Sequence, residues 1–222
     1  MTAHVIYLHG FASSPGSTKA AMFREALATL DVNVVVPDLN VPTFETLTLT
    51  AVLHRTAETV RALPPGPVYL IGSSFGGLTA VHFMDRYREQ EASRVHKLVL
   101  LAPAFDFMEN RQRDLGAAGL ARWREQGWLP VPHYAHDGQP LRLHYGLVED
   151  VTSYDSFGVR VDAPTLIFHG LHDESVDYRQ SQRYAAGRPS VELRLPESDH
   201  SLMDQMPVII PALIAFCDLQ PR

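Results

Sequence analysis

The most informative segment of this 222-residue chain reads Val68-Tyr69-Leu70-Ile71-Gly72-Ser73-Ser74-Phe75-Gly76. Its apolar run predicts a buried strand, and the G-x-S-x-G pattern that follows predicts a sharp turn into a helix. A serine on such a strained turn stands above the edge of the sheet, and its neighbours must be small enough to let the turn form. The segment therefore predicts a strand–turn–helix unit with Ser74 as a candidate nucleophile.

Short apolar runs alternate with longer amphipathic segments on both sides of this unit. The short runs are continuously apolar, as in Val34-Val35-Val36, which is typical of parallel strands buried on both faces. The alternation predicts an α/β fold with a doubly wound, mostly parallel sheet of about six strands. Strands are predicted at 4–8, 32–36, 67–71, 96–101, 164–169 and 190–195, and helices at 17–30, 43–63, 75–89, 177–186 and 203–217.

Size, charge and cysteine content limit the class of protein. A chain of 222 residues fits a single domain over 1–222. The net charge of −6 and the lack of a Lys/Arg run argue against nucleic-acid binding. No segment is apolar over the length of a membrane span, and the early first strand is expected to leave no room for a signal peptide. The single cysteine, Cys217, excludes an internal disulfide, so we expect a cytoplasmic protein.

A long connection, residues 105–162, interrupts the alternation of strands and helices. A helix is predicted around 111–126, whereas the prolines at 130, 132 and 140 indicate loops, so we expect no regular strands here. A connection of this length in a compact domain is usually functional, and we expect a small cap. Its apolar side chains either line a substrate pocket or form the core of the cap: Phe105, Phe107, Met108, Trp123 and Trp128.

An activated serine needs a base and an acid that orients the base. His200 is the last of eleven histidines and lies in the loop before the last helix, which fits the chain order serine, acid, histidine. The favoured acid is Asp173, because it follows the strand at 164–169 and Gly170 permits a turn that projects it towards Ser74. The alternative acids are Asp106, Glu174 and Asp177.

Two backbone N–H groups are candidates for stabilising the oxyanion of such a reaction. One belongs to Phe75, directly after the candidate nucleophile. The other belongs to Phe11, in the loop after the first strand, where Gly10 lets the backbone approach a substrate closely. We expect His9 to hold this loop in place rather than to take part in catalysis.

Two histidine pairs, His169 with His172 and His133 with His136, have the spacing of possible metal ligands. Neither pair has a matched partner group at the spacing of a zinc site. We therefore expect no metal ion and no other cofactor.

Four motifs, in this order, resemble those of the α/β-hydrolase superfamily over essentially the whole chain. They are the loop 8–11, the serine turn 72–77, the acid loop 169–176 and the histidine loop 199–200. The opening segment 7–15 is similar to the small esterase group whose type member is YqiA. The segment 123–128 is similar to acyl-thioesterases related to mammalian ABHD10.

The resemblance implies a serine hydrolase that cleaves carboxylic esters or thioesters of small or acyl-chain substrates. Ser74 would form an acyl-enzyme, His200 would act as the base, Asp173 would orient it, and the N–H groups of Phe11 and Phe75 would form the oxyanion hole. The expected partner is a small-molecule substrate, and the expected assembly is a monomer or homodimer. Cleavage of peptides or carbon–carbon bonds, and a non-catalytic binding protein with this fold, stay open as alternatives.

Overall fold

Strands and helices alternate along residues 2–221, the part of the chain that the computed structural model describes. The strands in this part are β1 (Ala3–Leu8), β2 (Val32–Val35), β3 (Val68–Ser73), β4 (Val95–Leu101), β5 (Trp128–Pro132), β6 (Pro140–His144), β7 (Thr165–Phe168) and β8 (Val191–Arg194). The α-helices are α1 (Thr18–Leu27), α2 (Leu49–Ala62), α3 (Phe75–Arg86), α4 (Phe107–Gln126), α5 (Gly146–Val151), α6 (Arg179–Ala185) and α7 (Met206–Phe216).

Six of the strands form one parallel sheet in the spatial order β2-β1-β3-β4-β7-β8. This confirms the predicted parallel sheet of about six strands. The order reverses between β1 and β3, so the loops that follow these two strands diverge and leave a crevice at the carboxyl end of the sheet. The loops after β7 and β8 end at the same edge.

Two apolar layers cover the sheet, because successive side chains along a strand point to opposite faces. On β1, Val5 and Tyr7 pack in the layer that contains α1 and α7. Ile6 and Leu8 pack in the layer that contains α2, α3 and the segment between β4 and β7. All residues of α3 from Phe75 to Met84 are buried, so this helix is enclosed and its N-terminus is held firmly at the sheet edge.

Capping residues explain where the helices begin. The predicted helix 43–63 is divided into a 3-10 turn at Phe44–Thr46 and the helix α2. Thr48 has an extended backbone, and its hydroxyl accepts a hydrogen bond from Ala51 N at 3.1 Å, so α2 begins after it. The other four helices predicted outside the 105–162 insertion are present, with ends within three residues of the predicted ones.

The expectation that the 105–162 insertion contains no regular strands is wrong, because β5 and β6 form an antiparallel hairpin. Pro132 lies opposite Pro140 in this hairpin. The next pair along the ladder is hydrogen-bonded, since His133 N donates to Gln139 O at 3.2 Å. Alternate pairs of an antiparallel ladder exchange no hydrogen bonds, so the prolines occupy positions where no N–H is needed.

The helix predicted around 111–126 begins earlier than expected, at Phe107. Asp106 precedes it, and its Oδ1 accepts a hydrogen bond from Glu109 N at 2.9 Å, which caps α4. None of the helices within residues 2–221 combines the length and the apolarity needed to cross a membrane.

Candidate active site

Ser74 lies at the junction of β3 and α3 with φ 53° and ψ −113°, a conformation that a non-glycine residue rarely adopts. The turn is tight because α3 packs directly against the end of β1. A Cβ atom on Gly76 would lie 2.0 Å from Leu8 O, and one on Gly72 would lie 2.5 Å from Gly76 O. The two glycines of the G-x-S-x-G pattern therefore allow the close approach that raises Ser74 above the sheet.

The structure brings the side chains of Ser74, Asp173 and His200 together. Nε2 of His200 lies 3.2 Å from Oγ of Ser74, and Nδ1 of His200 lies 2.6 Å from Oδ2 of Asp173. An ionised carboxylate accepts the proton on Nδ1, which leaves the lone pair of Nε2 directed at the serine hydroxyl. The Asp173 side chain is fully buried, whereas that of His200 is 30% exposed and open to the crevice.

The acid loop and the histidine loop are packed backbone to backbone. A Cβ atom on Gly170 would lie 2.2 Å from Ser198 O, and the N–H of His172 donates to the same carbonyl at 2.9 Å. Gly170 therefore serves this close packing, and its carbonyl also closes the turn towards Asp173, since it accepts a hydrogen bond from Asp173 N at 3.3 Å. The contact sets the distance between the loops that hold Asp173 and His200.

A second histidine, His169, contacts the same carboxylate oxygen as His200. Its Nε2 lies 3.1 Å from Asp173 Oδ2, and its Nδ1 lies 2.7 Å from Ser181 Oγ. Burial alone would raise the pKa of Asp173, but the hydrogen bonds from His169 and His200, and that from the N–H of Val176, hold this pKa well below its usual range. The sequence analysis considered His169 only as a metal ligand; its spacing of four residues from Asp173 was the available signal.

The alternative acids lie in other environments. Asp106 caps α4, as described above. Oδ1 of Asp177 accepts a hydrogen bond from the N–H of Arg179 at 2.9 Å, at the start of α6. Glu174 is exposed on the rim of the crevice. His200 contacts the carboxylate of Asp173 instead.

The histidines considered as metal ligands have other partners. Nε2 of His172 lies 2.5 Å from Glu197 Oε2 on the surface. The ring of His133 packs edge-on against Phe44, with the centroids 4.7 Å apart. Within the described residues 2–221, no three His, Cys, Asp or Glu side chains converge on a point that could hold a metal ion.

The loop after β1 is held by His9. Its Nε2 accepts a hydrogen bond from Leu39 N at 3.1 Å, so Nδ1 carries the proton and donates to Gly10 O at 2.9 Å. Burial lowers the pKa of His9, which favours this neutral form. Ala12 has φ 53°, and its carbonyl accepts a hydrogen bond from Tyr134 N at 2.9 Å, which ties the 105–162 insertion to this loop.

A cleft of about 1140 Å³ opens above Ser74 and His200. Phe11, Phe75 and Phe107 line it. Phe105 and Met108 line a smaller neighbouring cavity of about 270 Å³, to which Phe107 also contributes.

The two tryptophans considered for the pocket line neither cavity. Trp123 is 1% exposed, and its Nε1 donates to Leu143 O at 3.1 Å, so it joins α4 to the hairpin. Trp128 is half-buried and packs against His144 and the guanidinium of Arg142. Trp123 thus belongs to the apolar core, whereas Trp128 lies outside it.

Lys19 is a further charged residue of the cleft that the sequence analysis did not single out. Its Nζ lies 3.1 Å from Oγ of Ser73, directly before the candidate nucleophile. Burial lowers the pKa of Lys19 to about 8, against the opposing influence of Asp199 and Asp173. No local pattern distinguishes this lysine from one in the first turn of any amphipathic helix.

This sheet, with a serine turn after its central strand, defines the class of proteins with the α/β-hydrolase fold. Within that class the chain belongs to the family described as Uncharacterised protein family (UPF0227), whose profile matches residues 4–218. No curated protein matches the chain.

Solved structures share the fold over nearly the whole chain. A protein from Agrobacterium vitis S4, named as a hydrolase, is 24% identical with a TM-score of 0.84, and the match covers 96% of this chain and 87% of that one. Mouse alpha/beta hydrolase domain-containing protein 10 is 22% identical with a TM-score of 0.77, over 97% and 88% of the two chains. Est1E from Butyrivibrio proteoclasticus is 21% identical with a TM-score of 0.75, over 97% and 86%. This likeness shows that the chain shares the fold of these proteins.

Proposed function

We propose that this chain is a serine hydrolase that cleaves carboxylic esters or thioesters of small or acyl-chain substrates. The observation that carries the proposal is the continuous contact from Asp173 through His200 to Ser74 at the floor of the cleft. Nucleophile, base and orienting acid within hydrogen-bond reach are the requirements of acyl transfer through a serine.

The reaction proceeds in two steps. Oγ of Ser74 attacks the carbonyl carbon while Nε2 of His200 takes the serine proton, and Asp173 stabilises the imidazolium. The same proton then passes to the departing alcohol or thiol, which leaves an acyl-enzyme. Water repeats the sequence, with His200 as base, and releases the acid.

The N–H groups of Phe11 and Phe75 are the proposed donors to the oxyanion. Phe75 is the first residue of α3, and the first N–H groups of a helix have no partner within it. Removing one such donor typically costs about 3 kcal/mol of transition-state stabilisation. We further propose that the 105–162 insertion caps the site within a single domain. Phe105, Phe107 and Met108 would then line the acyl pocket.

Labelling with a fluorophosphonate tests the proposal. The folded wild type should react at Ser74, Ser74→Ala should not react, and Ser13→Ala, which alters another serine of the cleft, should react like the wild type. Absence of labelling in a wild-type protein with a native circular dichroism spectrum would overturn the proposal, and so would labelling that persists in Ser74→Ala.

A substrate panel separates esters from thioesters. The panel pairs p-nitrophenyl esters with acyl-CoA thioesters over a range of acyl lengths. A preference for one leaving group names the substrate class, and the longest acyl chain that is accepted reports the depth of the pocket beside Phe107. Hydrolysis of peptides alone would exclude both classes.

A further inference from the structure

One wall of the cleft carries a guanidinium on an aromatic surface. Cζ of Arg111 lies 5.7 Å from the ring centroid of Phe11 and 5.4 Å from that of Phe107. These two rings pack edge-on at 5.7 Å, and Phe75 joins them at 6.1 Å and 5.6 Å. Phe11 and Phe75 are also the residues whose N–H groups are the proposed oxyanion donors, so the aromatic surface under the guanidinium belongs to the same cleft as Ser74.

Two buried donors on this wall have no hydrogen-bond partner among the described residues: Nε of Arg111 and Nδ2 of Asn110. Asn110 is 2% exposed, and its Oδ1 accepts a hydrogen bond from Gln180 Nε2 at 2.9 Å. That bond orients the amide, so Nδ2 is the end left without a partner. Both residues line the cleft. A buried donor that lacks a partner costs about 1–3 kcal/mol, so such a pair calls for an acceptor.

Arg111 forms an ion pair with one carboxylate at the edge of the cleft. Nη2 lies 2.6 Å from Oδ2 of Asp114, a carboxylate that is itself 37% exposed. The guanidinium side chain retains 22% exposure. Lys19 is the other cation that lines the cleft. It lies beside Ser73 and interacts electrostatically with Asp199 and Asp173, so it belongs to the side of the cleft that holds His200. Arg111 is thus the cation on the opposite side, which is formed by the 105–162 insertion.

We propose that Arg111 and Asn110 form a subsite for a carboxylate, and that the substrate is an ester or thioester carrying such a group. The inference rests on the proposed hydrolase function and narrows its substrate class. A guanidinium presents its N–H groups in one plane, which matches the two oxygens of a carboxylate, and Asn110 adds a neutral donor. The rings of Phe11 and Phe107 cover the carbon chain between the carboxylate and the scissile bond.

Two pairs of esters locate the carboxylate relative to the scissile bond. The acyl pair is p-nitrophenyl pentanoate and the mono-p-nitrophenyl ester of glutaric acid. The leaving-group pair is phenyl acetate and 3-acetoxybenzoate. For each pair, the ratio of kcat/KM for the charged ester to that for the neutral ester is measured in wild type, Arg111→Gln, Arg111→Lys and Arg122→Gln. Arg122 is the matched control, since it is exposed on the same helix and does not line the cleft.

In one of the two pairs, Arg111→Gln should lower the ratio about 10- to 100-fold, the usual worth of a charged hydrogen-bonded contact. Arg111→Lys should give an intermediate ratio, and Arg122→Gln should match the wild type. Equal ratios in wild type and Arg111→Gln for both pairs would overturn the subsite. So would an equal loss in Arg122→Gln, which would indicate a general effect of net charge.

A binding measurement keeps this test independent of catalysis. In a Ser74→Ala background, calorimetry compares monoethyl glutarate with ethyl pentanoate, with and without Arg111→Gln. The charged ester should bind more tightly than the neutral one, and Arg111→Gln should abolish the difference. A difference that is absent, or that survives in Arg111→Gln, overturns the subsite. Failure of the wild type to hydrolyse any of the four test esters would count against the hydrolase function. The binding measurement would then still test the subsite.

Discussion

Nε2 of His169 lies 3.1 Å from Oδ2 of Asp173, the carboxylate oxygen that Nδ1 of His200 also contacts, at 2.6 Å. The side chains of His169 and Asp173 are both fully buried. The carbonyl of Val176 also lies 3.1 Å from Nε2 of His169, so this nitrogen carries the proton and Nδ1 accepts from the hydroxyl of Ser181. His169 thereby holds the carboxylate in position for His200.

Replacing His169 by Phe removes this donor and keeps an aromatic ring in its place. We expect kcat on an activated ester to fall about 10- to 100-fold, as for other residues that orient a reacting group. The pKa of Asp173 should rise without the donor, which NMR titration of its carboxyl group can follow. His169→Gln retains an N–H donor and should reverse part of both effects. An unchanged pKa of Asp173 together with an unchanged kcat in His169→Phe would mean that His169 only fills space.

A pair of substitutions distinguishes the two candidate acids. Asp173→Asn should lower kcat about 10⁴-fold with the fold retained, because an amide favours the wrong tautomer of the histidine. Asp106→Asn should change kcat little, since asparagine caps a helix as well as aspartate does. Steady-state kinetics and circular dichroism of the two variants check this. A large loss in Asp106→Asn with a nearly normal Asp173→Asn would reverse the assignment.

Gly76→Ala tests the close packing of α3 on β1. The added Cβ atom would lie 2.0 Å from the backbone oxygen of Leu8, which no side-chain rotation can relieve. We expect the free energy of unfolding to fall by about 3 kcal/mol or more. Gly16→Ala is the matched control, because its nearest atom, Ser14 Oγ, lies at an ordinary 3.6 Å. Urea denaturation that finds both variants equally stable would contradict this geometry.

His82 should make the protein less stable in acid. Burial lowers its pKa to about 4, while Asp85 and Asp155 oppose the shift. Between pH 6.5 and 4 the unfolded chain therefore binds more protons than the folded one, so the free energy of unfolding falls as the pH falls. The contribution of this residue is on the order of 3 kcal/mol.

Comparison with His82→Gln isolates that contribution, because other buried histidines also titrate in acid. Glutamine can keep the hydrogen bond that links Nε2 of His82 and Oγ of Ser156 at 2.9 Å. The stability of wild type relative to His82→Gln should decline steadily from pH 7 to pH 4.5 in urea titrations. A difference that is constant over this range would show that His82 does not titrate in it.

The two tryptophans of the insertion should contribute differently to stability. Trp123→Phe removes the indole donor to Leu143 O and part of a fully buried ring, and we expect a loss of about 1–3 kcal/mol in the free energy of unfolding. Trp128→Phe replaces the half-buried indole that packs against Arg142 by a smaller aromatic ring, and we expect a change within about 1 kcal/mol. Equal losses in urea denaturation would contradict the assignment of Trp123 as the anchor of the hairpin.

Much of the fold follows from local patterns in the chain. Apolar runs identified all six strands of the sheet, and the inner strands such as β3 are continuously apolar because a strand buried on both faces needs apolar residues at successive positions. The hairpin of the insertion was not predicted, because prolines such as Pro132 indicate loops when only the neighbouring residues are considered. They are compatible with a strand only when the partner strand leaves their positions unbonded, and that depends on a residue as distant as Pro140.

The serine turn illustrates what is encoded locally. Its strain and its need for Gly72 and Gly76 arise from atoms within a few residues and from the strand beside them, so the pattern identified Ser74 as a candidate nucleophile. The choice of acid among Asp173, Asp106 and others was left open by the sequence. The packing of Gly170 on Ser198 brings the acid loop to the histidine loop.

The remaining members of the site have little or no signal in a sequence pattern. His169 was marked only by its spacing of four residues from Asp173. Lys19, Asn110 and Arg111 lie on two helices, reach the cleft only through helix packing and have ordinary residue types for their positions. A sequence pattern contains information about residues that are close along the backbone. The partner of a buried polar group depends instead on which helices, strands and loops pack together. The chain alone thus specified its strands and its strained serine, and the packing of distant loops decided what surrounds that serine.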